Sequence, residues 1–129
     1  MRDAADYLQH VKAIILGSQL VAQVEIVREE VLGDLGLFRF RLKLIDGSLL
    51  ELFERFTVLD EVVQVLKYSF HWQDESGQFL KRWDNAPHHP EVPTRPHHIH
   101  DGSEKCVIPG GTMNVEEVLA LIAKMIING

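Results

Sequence analysis

The first apolar stripe runs at helical spacing. Ala4, Leu8, Val11 and Ile15 recur every three or four residues, with Tyr7 and Ile14 beside them. Asp3 can cap the start of this helix and Gly17 can end it, so the pattern predicts a helix over residues 3–16. The period then changes to two. Residues 19–32 are rich in β-branched side chains, and Gly33-Asp34-Leu35-Gly36 supplies a turn. From Leu37 to Ile45 the alternation is clean: Phe38, Phe40, Leu42 and Leu44 make one face, Arg39, Arg41 and Lys43 the other. Asp46-Gly47 is a strong hairpin signal, because both residues tolerate positive φ. A third strand is predicted over Leu49–Leu59, its apolar residues interrupted by Glu51, Glu54 and Arg55. A fourth spans Val62–Gln73, with Leu66, Tyr68, Phe70 and Trp72 opposite Lys67, Ser69, His71 and Gln73. After the Asp74–Gly77 turn, Gln78–Asp84 gives a short fifth strand. Near the end, Asn114 and Glu117 resemble a capping box, and Val118, Leu119, Ile122, Met125 and Ile126 form a second helical stripe.

The expected fold is α+β: a five-stranded antiparallel meander sheet flanked by an N-terminal and a C-terminal helix, in the order α-β-β-β-β-β-α. One domain accounts for residues 1–129. With both helices on the apolar face, the other face would carry Arg39, Arg41, Lys43, Lys67, Ser69, His71 and either Glu54 or Arg55.

The segment that breaks this pattern is an arm at residues 84–102, entered through Trp83. Residues 83–102 hold five of the seven histidines and four of the five prolines. Pro87, Pro90, Pro93 and Pro96 recur every third residue, the repeat of a polyproline II helix. The spacing therefore predicts a stiff, extended arm that holds His88, His89, His97, His98 and His100 in few directions. Such alternation most often signals rigidity alone. Its length favours a function, since structureless loops beyond about 12–15 residues are uncommon in small domains.

Composition narrows the classes. Hydrophobic content of 46% and charged content of 25% suit a single globular core. No apolar run is long enough to span a bilayer and no basic region precedes one, which predicts a cytoplasmic protein with no membrane partner. A single cysteine, Cys106, excludes an internal disulfide; its surroundings predict a buried strand residue. The net charge of −6 argues against general polyanion binding, though not against a local basic surface.

Two chemistries fit the arm. In an extended chain His98 and His100 point the same way, as two metal ligands on one strand must, and His88, His89 or Asp84 could complete a Zn, Mn or Ni site. His98-x-His100-x-x-x-Glu104 also resembles half of a cupin motif, but no second histidine motif follows and the strands are too few for a jelly roll. The second chemistry is metal-free. Cleaving RNA through its own 2′-hydroxyl needs a base, an acid and a cation on the phosphate. His71, His88 and His89 are candidate acids and bases, and Asp84 is placed to orient a histidine. Arg82 would hold the phosphate, with Arg39, Arg41, Arg95 and Asn85 as further binding residues.

The run Tyr68-Ser-Phe-His-Trp-Gln-Asp74, then Arg82-Trp-Asp-Asn-Ala-Pro-His-His-Pro-Glu91 and Pro96-His-His-Ile-His-Asp-Gly102, resembles the TumE family of small prokaryotic toxin–antitoxin proteins. The resemblance covers about residues 60–128, including the final helix. It implies a toxin neutralised by a cognate antitoxin that binds it. It carries His71, Arg82, Asp84, Asn85, His88, His89, His98 and His100 over as candidate site residues. A ribonuclease-like activity follows from the histidine and arginine content, by analogy with other small toxins. The alternative is a non-enzymatic protein-binding module with a histidine-rich, metal-binding arm. Two sheet edges and an open face also predict a homodimer.

Overall fold

The computed structural model describes residues 1–87 and 89–127. Helix α1 (Ala4–Leu16) is capped by Asp3, whose side chain accepts the Asp6 N–H at 2.8 Å, and it buries the four residues of the sequence stripe. A seven-stranded antiparallel meander follows, each strand paired with its chain neighbours: β1 (Val21–Leu32), β2 (Leu35–Leu44), β3 (Leu49–Leu59), β4 (Val62–Gln73), β5 (Phe79–Asp84), β6 (His98–Asp101) and β7 (Val107–Pro109). Helix α2 (Val115–Ile127) closes the chain, with Asn114 Oδ1 accepting the Glu117 N–H at 2.8 Å. The fold is the expected α+β meander between two helices, with five main strands and two short ones.

Alternation decides which face is core. Phe38, Phe40, Leu42 and Leu44 of β2 meet Leu50, Leu52 and Phe56 of β3, then Tyr68, Phe70 and Trp72 of β4 and Trp83 of β5, all beneath the helices. Burying side chains of this size contributes about 1.5–3 kcal/mol each, and makes this face the stabilising one. In α2 the buried residues are Val115, Val118, Leu119 and Ile122, whereas Met125 is exposed.

Three local features depart from the expected pattern. The first turn shrinks to Gly33-Asp34, since Leu32 pairs with Leu35 and Val31 with Gly36. Gly36 sits in the strand because a Cβ there would lie 2.5 Å from the Phe56 ring. Leu66 leaves the core face: Arg55 pairs with Lys67 and Phe56 with Val65, so a bulge displaces Leu66 outward and Val63 and Val65 pack inward before it. Glu54 faces the core, and Arg55 the opposite side.

The arm also differs. In place of an extended polyproline segment it makes successive turns, with Val92 N–H donating to His89 O, Arg95 to Val92 O and His97 to Thr94 O. Its last residues are not loop at all but strand β6, because His98–Asp101 completes the ladder left open by β5. Cys106 is exposed, in the turn between β6 and β7, where its carbonyl accepts the Asp101 N–H at 2.9 Å.

Candidate functional site

Antiparallel pairing puts opposite residues on one face, so the register fixes the polar surface. His71 of β4 lies across from Glu51 of β3 on one side and Arg82 of β5 on the other. Arg82 lies across from His100 of β6, and Asp84 is flanked by Ser69 and His98. One band of the open face therefore runs Arg41, Glu51, His71, Arg82, His100, and the next runs Arg39, Phe53, Ser69, Asp84, His98.

The first half of this surface is a cleft of about 250 Å³ lined by Arg39, Glu51, Ser69, His71, Gln73 and Arg82. The Arg82 guanidinium donates to His71 Nδ1, at 3.3 Å from Nε and 3.1 Å from the terminal nitrogen. Arginine has no lone pair to offer, so His71 Nδ1 is the acceptor and Nε2 carries the hydrogen, which it gives to Gln73 Oε1 at 3.2 Å. Burial, with the Arg82 charge adding to it, holds His71 below the usual imidazole range and keeps it neutral. Arg82 also pairs with Glu104 at 2.9 Å. Arg39 and Arg41 are engaged by Glu51 at 2.8 and 3.8 Å, and Arg41 by Glu25 at 3.5 Å.

The second half is buried. The Asp84 carboxylate faces two imidazoles: Oδ1 is 2.8 Å from His98 Nε2, and Oδ2 is 3.3 Å from His100 Nε2. The two Nε2 atoms are 3.1 Å apart. The arm brings His89 over them, its ring centroid 4.8 Å from that of His98 and 5.5 Å from that of His100. A ring nitrogen from each of His89, His98 and His100 lies within 4.8 Å of the others, and this group could hold a metal ion.

The remaining sequence candidates separate by position. Asn85 is a backbone clip: Oδ1 accepts the Tyr68 N–H at 2.9 Å and Nδ2 donates to Leu66 O at 3.3 Å. Arg95 donates to Pro90 O at 2.8 Å, within the arm. His97 turns away from the cluster and stacks on Tyr68, its Nδ1 3.0 Å from the phenol oxygen. His88 lies outside the described residues. Sequence reasoning missed Glu104, Glu51 and Gln73 as members of the site. The hairpin register of Glu51 opposite His71 was the available signal for one of them.

A larger groove of about 370 Å³ lies toward the β1–β2 end, lined by Leu32, Leu35, Leu37 and Leu66 with Glu30 and Arg55. It contains no histidine, whereas the histidines described above gather at the β4–β6 end. Among the described residues no helix is long and apolar enough to cross a membrane. No curated protein and no solved structure matches the chain. A family model described as Toxin TumE does match, over residues 10–126, and so takes in all seven strands, the second half of α1 and nearly all of α2. The chain belongs to the TumE family of toxins.

Proposed function

We propose that this chain is the toxin half of a cytoplasmic toxin–antitoxin pair and that it acts by cleaving RNA on the open sheet face. The observation that carries this reading is the contact between Arg82 and the neutral His71 in a polar cleft. A phosphate would displace Glu104, which is largely exposed, from the Arg82 guanidinium and be held through the same planar fork. Bound phosphate would draw Arg82 away from His71 and free the Nδ1 lone pair to accept the 2′-hydroxyl proton. The Asp84–His89–His98–His100 group, next along the sheet through the Arg82–His100 pairing, would meet the leaving oxygen with a proton or with a divalent cation such as Zn, Mn or Ni. Arg39 and Arg41 would extend the phosphate track, each exchanging its glutamate partner for the backbone.

The test is cleavage of single-stranded RNA by the purified chain, with growth arrest on expression as a second readout. His71→Ala and Arg82→Ala should each lower cleavage by about 10²–10⁴-fold and relieve the arrest. Because His71 is held below its ordinary value of 6.5, the midpoint of the acid limb of the rate profile should lie below pH 6.5. Undiminished arrest by folded His71→Ala and Arg82→Ala chains would refute the reading.

A second reading, a module that works by binding alone, is favoured by strand β1. It is one of the sheet's two edges and exposes Val24, Ile26, Val27, Val31 and Leu32. That surface suits an antitoxin or a second copy of the chain as a homodimer. Toxicity without RNA cleavage, abolished by charged substitutions at Ile26 and Val31, would favour it.

A further inference from the structure

We infer that Asp84, His89, His98 and His100 form a resident site for a borderline divalent metal of the zinc type, and that the metal fastens the arm to the sheet. The argument rests on where the hydrogens must be. His98 Nδ1 is 2.9 Å from Pro96 O, and His100 Nδ1 is 2.8 Å from Glu104 O. A carbonyl oxygen only accepts, so both Nδ1 atoms carry hydrogen. His89 Nδ1 is 2.9 Å from Glu91 Oε1, another acceptor, which leaves its Nε2 as the remaining donor of a lone pair. Three imidazoles are thus oriented by Nδ1 contacts to carbonyl or carboxylate oxygen, the arrangement that holds metal-ligating histidines in place.

The interior of the cluster crowds lone pairs and charge together. With both imidazoles neutral, two Nε2 lone pairs face each other at 3.1 Å and both face the Asp84 oxygens. With both protonated, each N–H can donate to its own Asp84 oxygen, but two imidazolium charges then stand 3.1 Å apart in a buried site. One shared proton relieves the His98–Asp84 contact and leaves the His100 lone pair against Asp84 Oδ2. All of this is buried, His98 to 2% and His100 to 7% exposure, where an unpaired polar contact is costly. A divalent cation between the His98 and His100 nitrogens would take both lone pairs and balance the Asp84 charge. Nitrogens bound to one tetrahedral zinc at about 2.0–2.1 Å stand about 3.3 Å apart; those of His98 and His100 stand 3.1 Å apart, and the His89 nitrogen, within 4.8 Å of them, would close onto the ion with the arm. Three imidazoles and one carboxylate suit Zn and its neighbours and disfavour Mg or Ca. The Ala86 N–H, which donates to Asp84 Oδ1 at 3.0 Å, orients the carboxylate.

The ligands also say what the metal does for the fold. Asp84 ends β5, His98 and His100 lie on β6, and His89 comes from the turns between them. Four ligands drawn from a span of seventeen residues would clamp the arm as a closed loop over the sheet. The site stands whether or not the neighbouring cleft cleaves RNA.

The test uses the untagged full-length chain. It is loaded with Zn²⁺, desalted and assayed by elemental analysis, then loaded with Co²⁺ for the visible bands of a low-coordinate N/O site. One equivalent per chain is expected, together with a lower melting temperature after chelation that returned Zn²⁺ restores. Asp84→Asn and His98→Gln should weaken binding by at least about 100-fold. Because those positions are buried, the partly exposed His89→Gln is the decisive variant. It should lose affinity by at least about 10-fold, alter the Co²⁺ bands and leave the metal-free melting temperature unchanged. Less than about a tenth of an equivalent after loading, or wild-type affinity in a folded His89→Gln chain, would overturn the assignment. Full metal binding with no RNA cleavage would leave it intact and refute only the cleavage reading.

Discussion

Among the described residues two side-chain carboxylates are buried, one on each face of the sheet, and they are treated in opposite ways. Glu54 points from β3 into the core beneath α1, at 0% exposure. The Tyr7 hydroxyl donates to its Oε1 at 2.7 Å, and Oε2 has no partner. Asp84 points from β5 to the other face at 6% exposure, where it meets two imidazole nitrogens and a backbone N–H. Depth is nearly the same; company is not. A carboxyl with one neutral donor resolves its burial by keeping a proton, and burial accordingly pushes Glu54 up to about 7. The same burial and the Glu54 charge drive the Tyr7 phenol well above its ordinary value. Asp84 is surrounded by groups that can share a cation instead. The first arrangement makes a structural joint between α1 and the sheet; the second sets a carboxylate beside a histidine cluster that could hold a metal ion.

The strongest way to break this comparison is to take the charge from Glu54. Its folded-state value is raised above the ordinary 4.5, so the folded chain holds that proton more tightly than the unfolded chain does. The stability gained is fully present below about 4.5 and is lost as pH rises through about 7. A shift of that size corresponds to about 3 kcal/mol. Glu54→Gln is neutral at every pH, so it should be more stable than the wild type by up to about 3 kcal/mol at pH 8.5. The two should converge toward pH 5. Denaturant melts of both chains across that range measure the gap directly. A gap that does not change with pH would mean that Glu54 does not titrate as its burial requires. Metal binding at the histidine cluster should be untouched in this variant, because the two carboxylates lie on opposite faces.

A smaller effect is expected at the other end of the same joint. Tyr7→Phe removes the donor to Glu54 Oε1 and leaves both oxygens unpartnered, while keeping the edge-on packing of the ring on Phe56 at 4.6 Å. Loss of a hydrogen bond to a buried acceptor costs about 1–3 kcal/mol. The loss should be greater at pH 8 than at pH 5, since the ionised carboxylate needs the donor more. Adding Glu54→Gln should remove that pH dependence.

Why one carboxylate was legible in the sequence and the other was not follows from the period-two pattern. Alternation through Leu50, Leu52 and Phe56 places Glu54 on the core face, yet its charge argues for the surface, and both Glu54 and Arg55 were candidates for the open side. Only the hydroxyl of Tyr7, on a helix 47 residues away, makes the inward position tolerable, and nothing local announces it. The main strands and both helices were readable because their stripes are long and two of the turns carry Gly33-Asp34 and Asp46-Gly47. Strands β6 and β7 have four and three residues and lie among prolines and glycines, too short for any period to show. With β6 unseen, the pairing of Asp84 with His98 and of Arg82 with His100 could not be foreseen. The histidines themselves were conspicuous, whereas which of them converge depends on turns where the proline repeat suggested extension. His71 and Arg82 were readable as neighbours because both lie on strands with clear alternation and a turn between them.

A third carboxylate calibrates the other two. Glu51 lies on the open face, partly exposed, with Arg39 at 2.8 Å and Arg41 at 3.8 Å. Solvent screens these pairs, and an exposed ion pair contributes about 0.2–1 kcal/mol. Arg39 also stacks over the Phe53 ring at 4.6 Å, a contact that survives high salt better than the ion pair does. Arg39→Ala should therefore cost no more than about 1 kcal/mol, and part of that cost should vanish between 0.1 and 1 M salt, scales set by the shrinking Debye length. Arg39→Lys keeps the charge but loses the planar stacking, so it should recover only the salt-sensitive part. A cost well above that range, insensitive to salt, would show that the open face carries a structural burden like that of the core. The division between a stabilising face and a chemical face would then fail at its most exposed point.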